Sequence, residues 1–163
     1  MSSFRNSAAF GKRIEYWIIG LLLKDGFDVF VPIVDDDGID AIIRGKNGKK
    51  LDLQIKARSD AVVFGSSGLF STGKSHPSYR PNFYFIFYSE RLDAVWVMSS
   101  RDYLENCTTS KTGKNVGWRQ IWLNGRSAKD QKEYPNKRFN EWLVTDDGKH
   151  DFSIFHEFLK EEL

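Results

Sequence analysis

Several features that define other protein classes are scarce or missing in this chain of 163 residues. Its one cysteine, Cys107, cannot form an internal disulfide, so the stapled framework of a small secreted domain is excluded. The longest apolar run, Trp17 to Leu23, is interrupted by Gly20 and is too short to span a bilayer. Residues 1–7 lack the apolar stretch of a secretory signal. We therefore expect a cytoplasmic protein with no membrane partner.

A strong net charge is also lacking, since 24 basic residues face 22 acidic ones and the formal charge is +2. The charge is nevertheless unevenly distributed. The segment Lys111 to Arg138 holds eight basic and two acidic residues, a net +6, which leaves −4 for the rest of the chain. A basic segment on an acidic body is compatible with a phosphate-binding face, although a solvated surface would give the same pattern.

The chain does contain enough apolar residues to form a hydrophobic core, since 40% of its residues are hydrophobic and 15% are aromatic. Apolar periodicity predicts helices at 7–24, from Ser99 or Ser100 to 106, and at 151–163, with Gly26 ending the first of them. Alternating or continuous apolar runs predict strands at 27–34, 39–44, 50–58, 83–88, 94–98 and, more weakly, 118–123. The Gly- and Ser-rich stretch 64–82 is expected to be a long loop. This order predicts an α/β fold, one mixed sheet flanked by helices.

The hairpin between the second and third predicted strands has two conceivable registers. A two-residue Asn47-Gly48 turn would set Asp40 against Ile55, with the polar side chains on opposite faces. A three-residue loop, Lys46 to Gly48, puts a glycine where a positive φ is needed and sets Asp40 opposite Gln54. Lys56 is then a diagonal neighbour on the same face. Because a one-residue slip reverses every side chain, matching polar with polar selects the three-residue loop.

Glu15 adds a fourth polar group from the first helix. Its angular position falls between Leu22 and Ile19, inside the arc that should face the core. A carboxylate in that position is costly unless a cation or hydrogen-bond donors accompany it. We therefore predict that Glu15 points at Asp40.

Glu15 in an N-terminal helix, Gly38-Ile39-Asp40 opening a strand and Gln54-Ile55-Lys56 on the next strand resemble the PD-(D/E)xK nuclease superfamily. The resemblance is closest to the branch with Gln in the last motif, as in Mrr-type restriction endonucleases and small bacterial proteins associated with group I introns. It implies a restriction-endonuclease-like mixed sheet flanked by helices. It also implies one nuclease-like domain over 1–163, with a core at about 7–107, the basic segment 111–138 in a C-terminal extension and a terminal helix at 151–163.

The resemblance further implies a metal-dependent endonuclease that hydrolyses phosphodiester bonds in DNA. Mg²⁺, or Mn²⁺ in its place, would be held by Asp40, Gln54 and Glu15, with Lys56 completing the catalytic set. Mg²⁺ prefers oxygen ligands and keeps several waters, so few protein ligands suffice. Gln54 departs from the acidic residue usual at that position, and a neutral amide binds Mg²⁺ more weakly. Nucleic-acid contacts are expected from basic residues of the loop and the basic segment, namely Lys74, Arg80, Lys111, Lys114 and Arg119.

Each of these residues also has an ordinary structural explanation. Asp40 could hydrogen-bond the preceding turn, Gln54 and Lys56 could face solvent, and Glu15 could pair with Lys12 or Arg58. The three histidines form no zinc-ligand pattern, and the acidic turn 35–37 is more often solvated than metal-bound, with Asp37 its one residue of interest. Trp118 and Trp122 could stack on bases or belong to the core.

Two other functions stay open from the sequence alone. The same fold could serve as a non-catalytic module that binds nucleic acid or a protein, or the chain could be a compact interaction protein that needs no metal. The sequence also leaves the oligomeric state open, a homodimer included.

Overall fold

A computed structural model describes residues 6–35, 37–63 and 66–160 of the chain. The helices are α1 (Ser7–Lys24), α2 (Ser100–Asn106) and α3 (Ile154–Leu159), and a 3₁₀ helix spans Lys137–Trp142. The strands are β1 (Asp28–Phe30), β2 (Ala41–Arg44), β3 (Lys50–Arg58), β4 (Leu69–Gly73), β5 (Phe83–Ser89), β6 (Ala94–Ser99), β7 (Thr108–Thr109), β8 (Arg119–Trp122), β9 (Asn124–Arg126), β10 (Glu133–Pro135), β11 (Thr145–Asp146) and β12 (Lys149–His150).

The main sheet has five strands in the order β1-β2-β3-β5-β6. β3 and β5 run parallel, and every other neighbouring pair is antiparallel. The sheet is therefore mixed, and the α/β class predicted from the order of elements is confirmed. Three smaller sheets accompany it, and the largest joins β4, β8 and β7.

Two apolar clusters cover the two faces of the main sheet. On one face α1 and α3 pack against alternate residues of the strands, with Ile18, Leu22, Leu53 and Phe155 almost wholly buried. On the other face aromatic residues of β5 and β6 pack against α2 and the β4-β8-β7 sheet. β5 is buried on both sides, as its continuous apolar sequence predicts.

The first helix matches its prediction at both ends. Asn6 caps its start, because the Asn6 side-chain oxygen accepts a hydrogen bond from the Ala9 N–H at 2.8 Å. After the helix, Gly26 adopts a φ of +87°, the left-handed conformation that ends many helices. α2 is capped by Ser99, whose hydroxyl accepts from the Asp102 N–H at 3.1 Å.

Four predicted elements differ from the structure. The second predicted strand, 39–44, begins only at Ala41. β1 ends at Phe30 instead of residue 34, because the chain turns away from the sheet before Pro32 and leaves Ile33 fully exposed. The predicted loop at 64–82 contains β4, whose partner β8 lies some fifty residues further along the chain. α3 covers Ile154–Leu159 and is shorter than predicted. Phe64, Gly65 and residues 161–163 lie outside the described residues.

None of the helices in the described ranges combines the length and the apolar character needed to cross a membrane.

Candidate functional site

The β2-β3 hairpin has the three-residue loop that is predicted when polar residues are placed opposite polar residues. Arg44 pairs with Lys50 and Ala41 with Leu53. The Gly45 N–H donates to the Lys49 carbonyl at 2.8 Å, closing the loop, and Gly48 has a φ of +82°. The predicted register is confirmed over the paired residues, and the register of a two-residue turn is excluded.

Asp40 lies where β2 separates from β3. The ladder ends at the Ala41–Leu53 pair, so Asp40 and Gln54 do not form a regular strand pair. Instead, the Asp40 N–H donates to the Leu53 carbonyl at 2.8 Å, and the Asp40 carboxylate accepts from the Ile55 N–H at 2.7 Å. Asp40 thus contacts the residues on both sides of Gln54 and satisfies a β3 amide that has no strand partner there. This is a bond to the following strand, not to the preceding turn.

Burial raises the pKa of Asp40 from 3.8 to about 6. The hydrogen bond from Ile55 and the positive charge of Lys56 act in the opposite direction, whereas the charge of Glu15 raises the pKa further. The effects of Glu15 and Lys56 show that both side chains lie within electrostatic range of Asp40. A half-buried carboxylate with a raised pKa is a common feature of functional sites.

Gln54 is buried, with 6% of its surface exposed, so it is not the solvent-facing residue of a half-exposed hairpin. Gly38 lies directly against its side chain: a Cβ added at Gly38 would be 2.5 Å from Gln54 Nε2. Gly38 also has a φ of +70°. Two independent constraints therefore favour glycine here, and the turn they permit leads straight into Asp40.

The turn before Asp40 is stabilised by its own acidic residue. The Asp35 carboxylate accepts from the Ile39 N–H at 2.7 Å, which accounts for Asp35 without a second metal. Asp36 lies outside the described residues.

Glu15 pairs with Lys12 one helical turn earlier. The Glu15 side chain is 17% exposed and that of Lys12 is 61% exposed, so the carboxylate faces inward while the ammonium reaches it from solvent. The pKa of Lys12 is raised chiefly by its hydrogen bond to Glu15, with a smaller contribution from the charge of Asp40. Lys12 was expected only as one alternative partner of Glu15. The structure pairs it with Glu15 and places it near enough to Asp40 for the two charges to interact.

The group combines two carboxylates, one amide and two ammonium groups. Among residues 6–35, 37–63 and 66–160, no three His, Cys, Asp or Glu side chains come together as a metal-binding cluster. Asp40, Glu15 and the Gln54 side-chain carbonyl nevertheless offer hard oxygen donors only. Such a set suits Mg²⁺, which takes one or two carboxylates and retains water.

Two of the predicted nucleic-acid-binding arginines have partners within the protein. Arg80 donates from Nη1 to the Asp37 carbonyl at 2.7 Å, and its guanidinium lies 4.1 Å from the centre of the Phe83 ring. Arg119 donates from Nη2 to the Pro77 carbonyl at 2.9 Å. These contacts connect β8 to loop 77–80, and that loop to the turn that carries Gly38 and Asp40.

The three predicted lysines are exposed on the side of β4-β8-β7. Lys111 and Lys114 lie in the loop between β7 and β8. Lys74 follows β4, and its Cε lies 3.1 Å from the point where a Gly117 Cβ would be. The structure therefore brings Lys74 next to the β7-β8 loop, a proximity that their separation in sequence does not predict.

His76 is a buried residue near these arginines for which the sequence pattern predicts no role. Its Nε2 shares a hydrogen bond of 2.7 Å with the Ser100 hydroxyl, and aromatic rings of Phe83 and Phe85 pack around it. Burial lowers its pKa to about 4, with further lowering by the nearby arginines. A neutral histidine in that setting supports the loop before β5.

Comparison with known proteins gives a match in fold. No family model matches the chain, and no curated protein matches it. The fold is similar to that of a solved bacterial homing endonuclease, I-Ssp6803I, with a TM-score of 0.59 over 94% of this chain and 91% of that chain. The two sequences are 15% identical, so the likeness concerns the fold alone.

Proposed function

We propose that the chain is a metal-dependent nuclease of the PD-(D/E)xK type that hydrolyses phosphodiester bonds in DNA. The observation that carries the proposal is the position of Asp40, half-buried where β2 leaves β3 and within electrostatic range of Glu15 and Lys56. The fold it shares with a bacterial homing endonuclease supports the same reading. We also propose that the protein acts in the cytoplasm.

Mg²⁺ or Mn²⁺ would be held by the Asp40 carboxylate, the Gln54 side-chain oxygen and Glu15. These oxygen donors are of the type that Mg²⁺ prefers. Burial raises the pKa of Asp40, and a bound cation would lower that pKa by stabilising the charged carboxylate. When bound, the ion would polarise the scissile phosphate and lower the pKa of the attacking water.

The protein side chains have separate tasks in this proposal. Lys56 extends from the same face of β3 as Gln54 and offsets negative charge that develops on the phosphate. The hydrogen bond from Ile55 holds the Asp40 carboxylate in place. Glu15 must leave its pair with Lys12, wholly or in part, to contribute to the metal.

The test is cleavage of supercoiled plasmid by the wild-type protein with Mg²⁺, with Mn²⁺ and with EDTA. Nicked or linear product that appears with metal and disappears with EDTA is expected. If neither ion supports cleavage at any ratio of protein to DNA, the nuclease proposal is wrong.

A second candidate is a non-catalytic module that binds nucleic acid through the same fold. Two observations favour it. Gln54 is neutral and stands in place of a carboxylate, and the Glu15 carboxylate forms a salt bridge with Lys12. Metal-independent DNA binding without cleavage would distinguish this module from the nuclease.

For either candidate we propose that Lys74, Lys111 and Lys114 contact DNA phosphates. Each cation that neutralises a phosphate releases counterions, so affinity falls steeply with salt. Changing all three lysines to Gln is expected to lower the slope of log K against log salt by about three units. Arg80 and Arg119 are left in place, because their guanidinium groups bind backbone carbonyls.

A salt titration of DNA binding measures that slope. The matched control changes three other exposed lysines, Lys46, Lys49 and Lys149, to Gln. Equal slopes for the two triple variants would mean that the β4-β8-β7 lysines are only a solvated surface.

A further inference from the structure

Two tryptophans are exposed at the ends of β8, since Trp118 immediately precedes the strand and Trp122 is its last residue. Along this strand Ile121 is buried in the second apolar cluster, and Leu123, just after it, is buried as well. Trp122 has the opposite parity, and Trp118 and Trp122 are each 39% exposed. Large aromatic side chains are costly to leave in water, so a pair of exposed tryptophans at one strand indicates a binding surface.

The spacing of the pair suits two bases that are not adjacent in the strand. Four residues of extended chain span roughly 13 Å, so the two tryptophans leave the backbone about that far apart. An extended nucleic-acid strand can place separate bases on two such rings. Every base has a π face, so stacking on tryptophan does not depend on sequence.

Positive charge borders the pair at its first end. The backbone of Trp118 bonds to the β7-β8 loop, through Ser110 N–H to the Trp118 carbonyl at 2.9 Å and Trp118 N–H to the Asn115 carbonyl at 3.0 Å. That loop carries Lys111 and Lys114, and Lys74 lies against it.

Positive charge borders the second end as well. The Asn136 side chain donates to the Trp122 carbonyl at 3.2 Å, and the exposed Lys137 and Arg138 follow it directly. Trp122 also lines a cavity of about 240 Å³ together with Arg126 and the buried Glu133. Aromatic rings with basic residues on both sides suit a ligand that is negatively charged and has flat, apolar faces. Nucleic acid has both properties, which distinguishes it from a protein partner.

We propose that Trp118 and Trp122 form a stacking surface for unpaired bases, so that the substrate is DNA with a single-stranded segment. The inference rests on the proposed function for the identity of the ligand. β8 is joined to the candidate active site through loop 77–80, since Arg119 binds the Pro77 carbonyl and Arg80 binds the Asp37 carbonyl.

The experiment is a fluorescence titration of the catalytically disabled Asp40→Ala protein with oligodeoxythymidine and with a duplex of equal length. Stacking quenches tryptophan emission, so the single strand is expected to quench and to bind more tightly than the duplex. Trp118→Leu and Trp122→Leu are each expected to weaken single-strand binding about tenfold or more. Trp118→Phe and Trp122→Phe are expected to keep part of the affinity, because a phenyl ring still stacks.

The matched control is Tyr16→Leu, which removes another exposed aromatic ring, on α1. Unchanged affinity in both leucine variants, or tighter binding of the duplex, would overturn the inference. The results distinguish a failure of this inference from a failure of the proposed function. A wild type that cleaves DNA while its leucine variants bind normally refutes only the stacking surface, whereas quenching by the single strand without any cleavage refutes only the nuclease.

Discussion

Asp40→Asn is expected to abolish metal-dependent DNA cleavage and, at the same time, to make the protein more stable at neutral pH. The substitution removes a carboxylate that accepts a hydrogen bond from β3, and with it a charge that would hold Mg²⁺. Loss of a ligand of this kind should lower the rate on the order of 10²-fold or more. The amide oxygen can still accept from the Ile55 N–H, so the hairpin should survive.

The stability effect follows from the raised pKa of Asp40. The unfolded chain loses this proton near pH 3.8, whereas the folded protein keeps it until about pH 6. Between these values the folded state binds more protons than the unfolded state, so rising pH destabilises the wild type through this group. Asparagine carries no such proton. The Tm difference, variant minus wild type, should therefore grow from pH 4 to pH 6 and remain positive above it.

Thermal unfolding from pH 4 to pH 8 without metal, together with plasmid cleavage, measures both effects. Asp60→Asn, at an exposed carboxylate, is the matched control and should cleave at the wild-type rate. An Asp40→Asn protein that cleaves as fast as the wild type would remove Asp40 from the mechanism, whatever its stability.

Lys56→Met is expected to slow cleavage on the order of 10²-fold while metal binding persists. Methionine keeps an unbranched apolar side chain of similar length but removes the charge that faces the phosphate. Loss of Lys56 also removes a positive charge that lowers the pKa of Asp40, so the pH at which cleavage begins should move upward.

Single-turnover cleavage across pH and Mn²⁺ binding separate these effects. Lys49→Met, at an exposed lysine near the tip of the same hairpin, should behave as the wild type. If Lys56→Met binds Mn²⁺ more weakly but cleaves at the wild-type rate once metal is saturating, Lys56 acts on the metal and not on the phosphate.

The hairpin could be predicted from the sequence because its determinants are local. Alternation places Gln54 and Lys56 on one face, and a glycine at the end of the loop decides the register. The helical period likewise gives α1 and the inward direction of Glu15. What alternation cannot show is that Asp40 leaves the ladder and bonds to Ile55, since that depends on where two strands separate.

The parts that were missed depend on contacts between distant segments. β4 looked like a loop because its glycine and serine neighbours weaken the strand signal, and its partner β8 lies far along the chain. The same distance hides the proximity of Lys74 to the β7-β8 loop. Lys12 was within reach of sequence reasoning, since it stands three residues before Glu15 on a helix, but nothing local shows that Asp40 also lies nearby.

The contact between Gly38 and Gln54 has a consequence for how mutations are tolerated. Most single substitutions that damage a fold do so through its core, and they reduce the yield of folded protein. Gly38 is different, because a larger side chain there would push against one site residue while both apolar clusters stay intact. A collection of inactive yet well-folded variants should therefore include changes at position 38, a residue with no chemistry of its own.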